Sequence, residues 1–127
     1  MQDNYFPVCA PDYQEGRHDI ETATLFDCAG VTGSWDTWCG SQGLPFDWSK
    51  DVNLGSTYAI TITAALSGAG MTMAHDCLVE DMLAQGRLIQ PFEHAPSLTE
   101  GYYFIAPSTH ATTPASTAFQ DWLRSEI

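Results

Sequence analysis

Residues 52–92 read VNLGSTYAITITAALSGAGMTMAHDCLVEDMLAQGRLIQPF, and the order of elements in this stretch decides the fold. Val52–Leu54 is a short strand. Ser56 and Thr57 can cap a helix over Tyr58–Ser67, and Gly68 suits the left-handed position after it. Ala59-Ile60-Thr61-Ile62-Thr63 alternates in a way that also suits a strand. Ala64-Ala65-Leu66 and the flanking cap residues favour the helix. Met71–His75 is a second strand, and Asp76 caps a helix over Cys77–Ala84 that stops at Gly86. Leu88–Phe92 reads as a third strand. A βαβαβ order of this kind builds a parallel sheet covered by helices.

Working outward, Tyr5–Cys9 is an apolar strand closed by Ala10-Pro11, and residues 12–18 form a polar turn. Asp19–Leu25 reads as a short helix with Asp19 at its N-cap, followed by a small-residue strand over Phe26–Val31. Thr32-Gly33-Ser34 turns the chain into a helix from Trp35 to Gln42, ended by Gly43. After a loop over Glu93–Gly101, Tyr102–Ala106 reads as a strand. Thr113 then caps a last helix with Pro114 in its first turn. Ala118, Phe119, Trp122 and Leu123 share one face of that helix at the spacing of a buried stripe.

The chain has 127 residues, enough for one domain, and 44% of them are hydrophobic. Only four are basic (Arg17, Lys50, Arg87, Arg124) against sixteen acidic, for a formal charge of −12. Such a chain repels phosphate backbones and anionic membrane surfaces, so direct nucleic-acid binding is not expected. The acidity serves solubility, or favours cationic and zwitterionic ligands. No stretch approaches the roughly 18 apolar residues of a membrane span. The N-terminal Met1-Gln2-Asp3-Asn4 lacks the basic and apolar regions of a signal peptide, so the expected compartment is the cytoplasm. Cys9, Cys28, Cys39 and Cys77 include no C-x-x-C pair and are expected as buried thiols, not disulfides.

Candidate ligand contacts lie where strands hand over to helices, because helix N-termini at the carboxyl ends of parallel strands attract anionic and polar groups. Thr32, Gly33 and Ser34 form one such junction. Ser56 and Thr57 form a second, with Tyr58 following. The alternative is that these hydroxyls simply cap their helices, at about 1 kcal/mol each. Trp35 and Trp38, with Trp48 nearby, offer indole faces for a cation at roughly 0.5–2 kcal/mol, but tryptophans three apart on a helix more commonly pack a core. His75-Asp76-Cys77 is not expected to ligate a metal, since adjacent residues at such a step diverge and no second His or Cys stands at ligand spacing. It also lacks a third orienting group for nucleophilic catalysis. Gly68-Ala69-Gly70 follows a helix and precedes a strand, the reverse of a phosphate-binding loop. Glu80-Asp81 reads as a solvated helix face. No convergent acid, base and nucleophile can be assembled, so no enzyme and no cofactor is expected.

Several of these segments resemble the effector-binding domain of LysR-type transcriptional regulators. They are Ser56-Thr57, AALSGAGMTMA (64–74) and LVEDMLAQGRLIQPF (78–92). They also include YYFIAP (102–107), AFQDWL (118–123) and YFPVCAP (5–11). GRLIQPF, the Trp pair and the Trp122-Leu123 ending are similar to the subgroup of the glycine-cleavage activator and the β-lactamase regulator. His75 departs from the usual family residue.

The resemblance implies an α/β fold of the periplasmic-binding-protein type (type 2): a mostly parallel sheet flanked by helices, plus an incomplete second lobe. All of 1–127 would be partial effector-binding domain, with 10–100 as lobe II. Residues 1–9 and 101–127 would be the crossover strands and a remnant of lobe I. In that family the cleft is lined near the two junctions, which assigns Thr32, Gly33, Ser34, Ser56, Thr57 and Tyr58 as ligand contacts. It also implies that Tyr5–Cys9 and Tyr102–Ala106 run side by side and antiparallel.

The expected function is sensing of a small effector that is amino-acid-like, a carboxylate or cationic, with the DNA-binding half lying outside these residues. The expected assembly is a homodimer in which the C-terminal segments can exchange. The competing reading is an interaction lobe that completes itself by dimerising and senses nothing.

Overall fold

The computed structural model describes residues 2–47, 49–106, 108 and 112–127. Its frame is a four-stranded sheet in the order β1-β4-β2-β3. The strands are β1 (Tyr5–Val8), β2 (Leu25–Cys28), β3 (Val52–Gly55) and β4 (Met71–His75). β2 runs parallel to both β3 and β4, while β1 pairs antiparallel with β4 from Tyr5↔His75 to Val8↔Thr72. Four helices accompany the described strands: α1 (Trp35–Gly40), α2 (Tyr58–Leu66), α3 (Asp76–Ala84) and α4 (Pro114–Glu126).

Every residue of β1 and β4 is buried, as expected for strands with both faces covered. Period-2 alternation then sorts their side chains. Tyr5, Met71 and Met73 join Leu25, Trp35, Trp38 and Cys39 on one face, whereas Phe6, Val8 and Ala74 join Ile62, Ala65, Val79 and Leu88 on the other. Thus the chain leaves β2 toward the α1 face and leaves β3 and β4 toward the α2–α3 face. Gly70 sits where β4 starts against β2: a Cβ there would lie 2.3 Å from the Thr24 carbonyl oxygen.

The ambiguous 58–67 stretch is helical, with Thr61, Ile62 and Ala65 buried. One-sided burial and a left-handed Gly68 (φ +80°) outweigh the strand preference of the Ile-Thr run.

Other expectations fail for identifiable reasons. Asp19–Leu25 is not a helix before β2. The Asp19 carboxylate accepts from the Glu21 N–H (2.9 Å) and the Thr22 hydroxyl (3.1 Å), which closes a turn instead. A single 3₁₀ turn forms earlier, at Tyr13–Gly16. Leu88–Phe92 contributes only the Ile89↔Cys9 bridge, because Pro91 has no N–H to extend a ladder. Tyr102–Ala106 forms no strand and does not pair with β1. The β1 segment is already occupied on both edges, by β4 and by the run through Ile89, Pro96 and Leu98: Tyr5 N–H donates to the Pro96 carbonyl and Leu98 N–H to that of Asp3.

The last helix forms as read, with a reciprocal Thr113–Ser116 capping box, but it buries no residue. Phe119 and Trp122 are about half exposed (50% and 55%). Their partners are each other and Phe104, with ring centroids 5.8 and 6.1 Å apart.

Candidate functional site

Because β2, β3 and β4 are parallel, Cys28, Gly55 and His75 end at one edge of the sheet, and antiparallel β1 brings Asp3 and Asn4 to the same edge. The loops that follow neighbouring β2 and β3 are residues 29–34 and Ser56-Thr57, tied together by the Ala29 N–H to Gly55 carbonyl bond (2.9 Å). They lead to helices on opposite faces of the sheet, which opens a crevice at the carboxyl edge.

Thr32, Gly33 and Ser34 line a cleft of about 320 Å³ together with Tyr5, Ser97 and Glu100. Thr32 donates its hydroxyl to Glu100 Oε2 at 2.6 Å. Gly33 has φ +83°, and a Cβ there would stand 3.0 Å from the Tyr5 ring, so both conformation and space call for glycine. Ser34 bonds the Asp36 carboxylate and the Thr37 hydroxyl. It does not cap α1. That work falls to buried Asp27, whose two oxygens accept from the Trp35 and Cys28 N–H groups at 3.2 Å each. Burial nevertheless raises the Asp27 carboxyl to about 6, against the lowering effect of those two N–H groups.

Ser56 and Thr57 lie outside that cleft, on the same edge. Both are exposed, and Thr57, at the N-cap position of α2, makes no side-chain capping bond. The two hydroxyls therefore stand exposed at the start of α2, where no side chain caps the helix. Tyr58 is committed elsewhere: its hydroxyl meets His75 Nε2 at 2.6 Å, and His75 Nδ1 meets Asp3 Oδ2 at 2.7 Å. Burial raises the Tyr58 phenol, which keeps it a neutral hydroxyl. Burial pushes Asp3 up as well, but hydrogen bonds from Asp76, His75 and Cys77 outweigh it and hold the carboxyl below its usual range. This Asp3–His75–Tyr58 chain joins the starts of β1 and α2 to the end of β4. No sequence pattern announces it, because Asp3 and His75 are 72 positions apart.

Trp35 and Trp38 are core residues, 1% and 2% exposed, packed edge to face with centroids 6.1 Å apart. Their indole N–H groups donate to the Phe26 and His94 carbonyls, so they present no stacking surface. Trp48 lies outside the described residues. Cys9, Cys28 and Cys39 are buried free thiols, but Cys77 is exposed on the first turn of α3. Among the described residues no helix is long and apolar enough to cross a membrane.

A mostly parallel α/β lobe with hydroxyls at the helix starts along its carboxyl edge has the layout of a ligand-binding lobe, and comparison places it further. The chain matches the family model of the LysR substrate binding domain over residues 1–127, and it belongs to that family. It is 30% identical over 124 residues to the HTH-type transcriptional activator AmpR of Rhodobacter capsulatus, covering 94% of this chain and 42% of that protein. Over 123 residues it is 24% identical to the glycine cleavage system transcriptional activator of Escherichia coli K12, covering 92% and 40%.

Among solved structures, the effector domain of AmpR of Pseudomonas aeruginosa superposes with a TM-score of 0.80 at 23% identity, over 98% of this chain and 61% of that one. The regulatory domain of CrgA from Neisseria meningitidis gives 0.67 at 23%, over 100% and 66%. These likenesses establish the periplasmic-binding-protein-like fold. The relatives are transcriptional regulators, and the chain spans less than half the length of those it matches.

Proposed function

We propose that this lobe forms one wall of the effector cleft of a LysR-type transcriptional regulator and senses a small cytoplasmic molecule. The observation that carries the reading is the α2 start. Ser56 and Thr57 are exposed, neither serves as a cap, and the helix N-terminus behind them favours a carboxylate or amide oxygen. Across the carboxyl edge, the Thr32–Ser34 cleft carries the Glu100 carboxylate, a group suited to an ammonium. An amino-acid-like zwitterion satisfies both junctions at once. Binding needs no covalent chemistry, and closure of a second lobe over the edge supplies the response.

With a charge of −12, the lobe contributes no nucleic-acid contact of its own in this reading. A thermal-shift screen of amino acids, small carboxylates and cationic amphiphiles tests it. Stabilisation by one class, lost in Ser56→Ala or Thr32→Ala, is expected. A flat response to all three classes contradicts sensing by this chain.

A second reading is favoured by the C-terminal segment. Tyr103 and Ile105 are 79% and 85% exposed, and the α4 stripe is uncovered by this chain. A homodimer that completes itself by exchanging residues 101–127 would bury both. Solution mass decides between them: a clean monomer at micromolar concentration excludes the self-completing dimer.

A further inference from the structure

Asp3, Asp76 and Cys77 converge at the start of α3, with one ligand atom from each lying within 4.8 Å of the others. Cys77 Sγ stands 3.4 Å from Asp3 Oδ2, close to the roughly 3.5 Å edge of a tetrahedron built on Zn–S and Zn–O bonds of about 2.3 and 2.0 Å. A carboxylate oxygen of Asp76 completes the group within the same 4.8 Å span. Asp3 is 1% exposed, and its Oδ1 is buried with no hydrogen-bond partner among the described residues. A buried carboxylate oxygen beside a second carboxyl group calls for a positive charge or a proton between them.

Each of the three groups also has an orienting partner outside the cluster. His75 Nδ1 holds Asp3 at 2.7 Å and is itself held by Tyr58. Asn4 Nδ2 donates to Asp76 Oδ2 at 3.1 Å, and Asn4 Oδ1 accepts from Ser97 at 2.7 Å. The Tyr102 hydroxyl lies 3.4 Å from Cys77 Sγ. Orienting contacts of this kind are what metal ligands need. A groove of about 420 Å³ lined by Gln2, Asp76, Cys77, Glu80 and Leu83 gives access.

We infer that Asp3, Asp76 and Cys77 form a binding site for a divalent metal of zinc's character, with a fourth position open to the groove. One thiolate and two carboxylates in a tetrahedral span suit zinc better than magnesium or calcium, which take oxygen ligands in larger sets. Sequence spacing hides the site because its first ligand comes from the far end of the chain. The inference is independent of the effector reading: it concerns a different groove and a different ligand class.

The test is titration of the reduced, metal-free chain with Zn²⁺, and with Co²⁺ as a spectroscopic substitute. One equivalent is expected to bind, with a thiolate-to-cobalt charge-transfer band. Cys77→Ser, at an exposed position, should abolish that band, and both Cys77→Ser and Asp76→Asn should weaken Zn²⁺ binding roughly tenfold or more. Glu80→Gln, in the same groove but outside the ligand set, should leave it unchanged. Circular dichroism confirms that each variant is folded. The inference is overturned if the folded wild type binds no Zn²⁺. It is equally overturned if Cys77→Ser and Asp76→Asn bind as the wild type does, which would assign a shared proton to the carboxyl pair.

Discussion

Replacing Tyr58 by Phe removes a single hydroxyl from the Asp3–His75–Tyr58 chain. The ring should stay in place, because it packs edge to face on the imidazole with centroids 5.0 Å apart. What is lost is the 2.6 Å bond to His75 Nε2. Since Nδ1 faces the Asp3 carboxylate at 2.7 Å, the tautomer that donates there leaves Nε2 to accept from Tyr58. In the variant, this nitrogen of a residue only 8% exposed has no partner. An unmet buried polar group costs about 1–2 kcal/mol, which lowers the melting temperature of a domain of this size by roughly 3–10 °C.

Differential scanning calorimetry on Tyr58→Phe, His75→Ala and the double variant reads both the cost and its origin. His75→Ala alone should cost more, because it strips a buried carboxylate of its partner. In that background Tyr58→Phe should be silent to within about 0.5 kcal/mol. Equal effects of Tyr58→Phe in both backgrounds would refute the chain as a coupled unit and leave Tyr58 as an ordinary packing residue.

Gly70→Ala drives a methyl to 2.3 Å from the Thr24 carbonyl oxygen. Relief requires parting β2 from β4, so a loss of about 2–3 kcal/mol or more is expected in urea unfolding. Trp38→Ala empties a core position and frees the His94 carbonyl, at about 3–5 kcal/mol by the same measurement. Asp27 binds its proton more tightly folded (about 6) than its ordinary value of 3.8. Its contribution to stability is therefore largest below about pH 4 and fades as pH rises through about 6. The stability difference between wild type and Asp27→Asn should shift against the wild type across that window, and a difference flat from pH 4 to 7 contradicts the burial argument. Removal of residues 113–127 should leave the melting temperature of the chain nearly unchanged, since α4 buries no residue; a large drop would mean that it is packed in solution.

The order of elements from Val52 to His75 was legible because each change of period coincides with a cap or a glycine. The two helix starts were legible for the same reason, but the side-chain caps that their hydroxyls suggested did not form. What stayed hidden depends on distant residues. Asp27 displaces Ser34 as the partner of the α1 N-terminus from eight positions away, and local capping rules do not see it. Asp19 closes a turn with its own neighbours in place of the expected helix. The pairing of Tyr102–Ala106 with β1 failed because the edge of β1 away from β4 was filled by Pro96 and Leu98, whose segment carries no strand pattern. Apolar spacing in α4 identified a stripe, but spacing alone cannot say whether this chain covers it.

The claim that a ligand is recognised at the carboxyl edge is tested most directly by amide chemical shifts of the ¹⁵N-labelled chain titrated with α-amino acids and small carboxylates. Saturable shifts concentrated at Gly33, Ser34, Ser56, Thr57 and Tyr58 are expected for at least one compound. Shifts confined to the opposite edge, around Gly68–Gly70, or none that saturate for any compound, would contradict it.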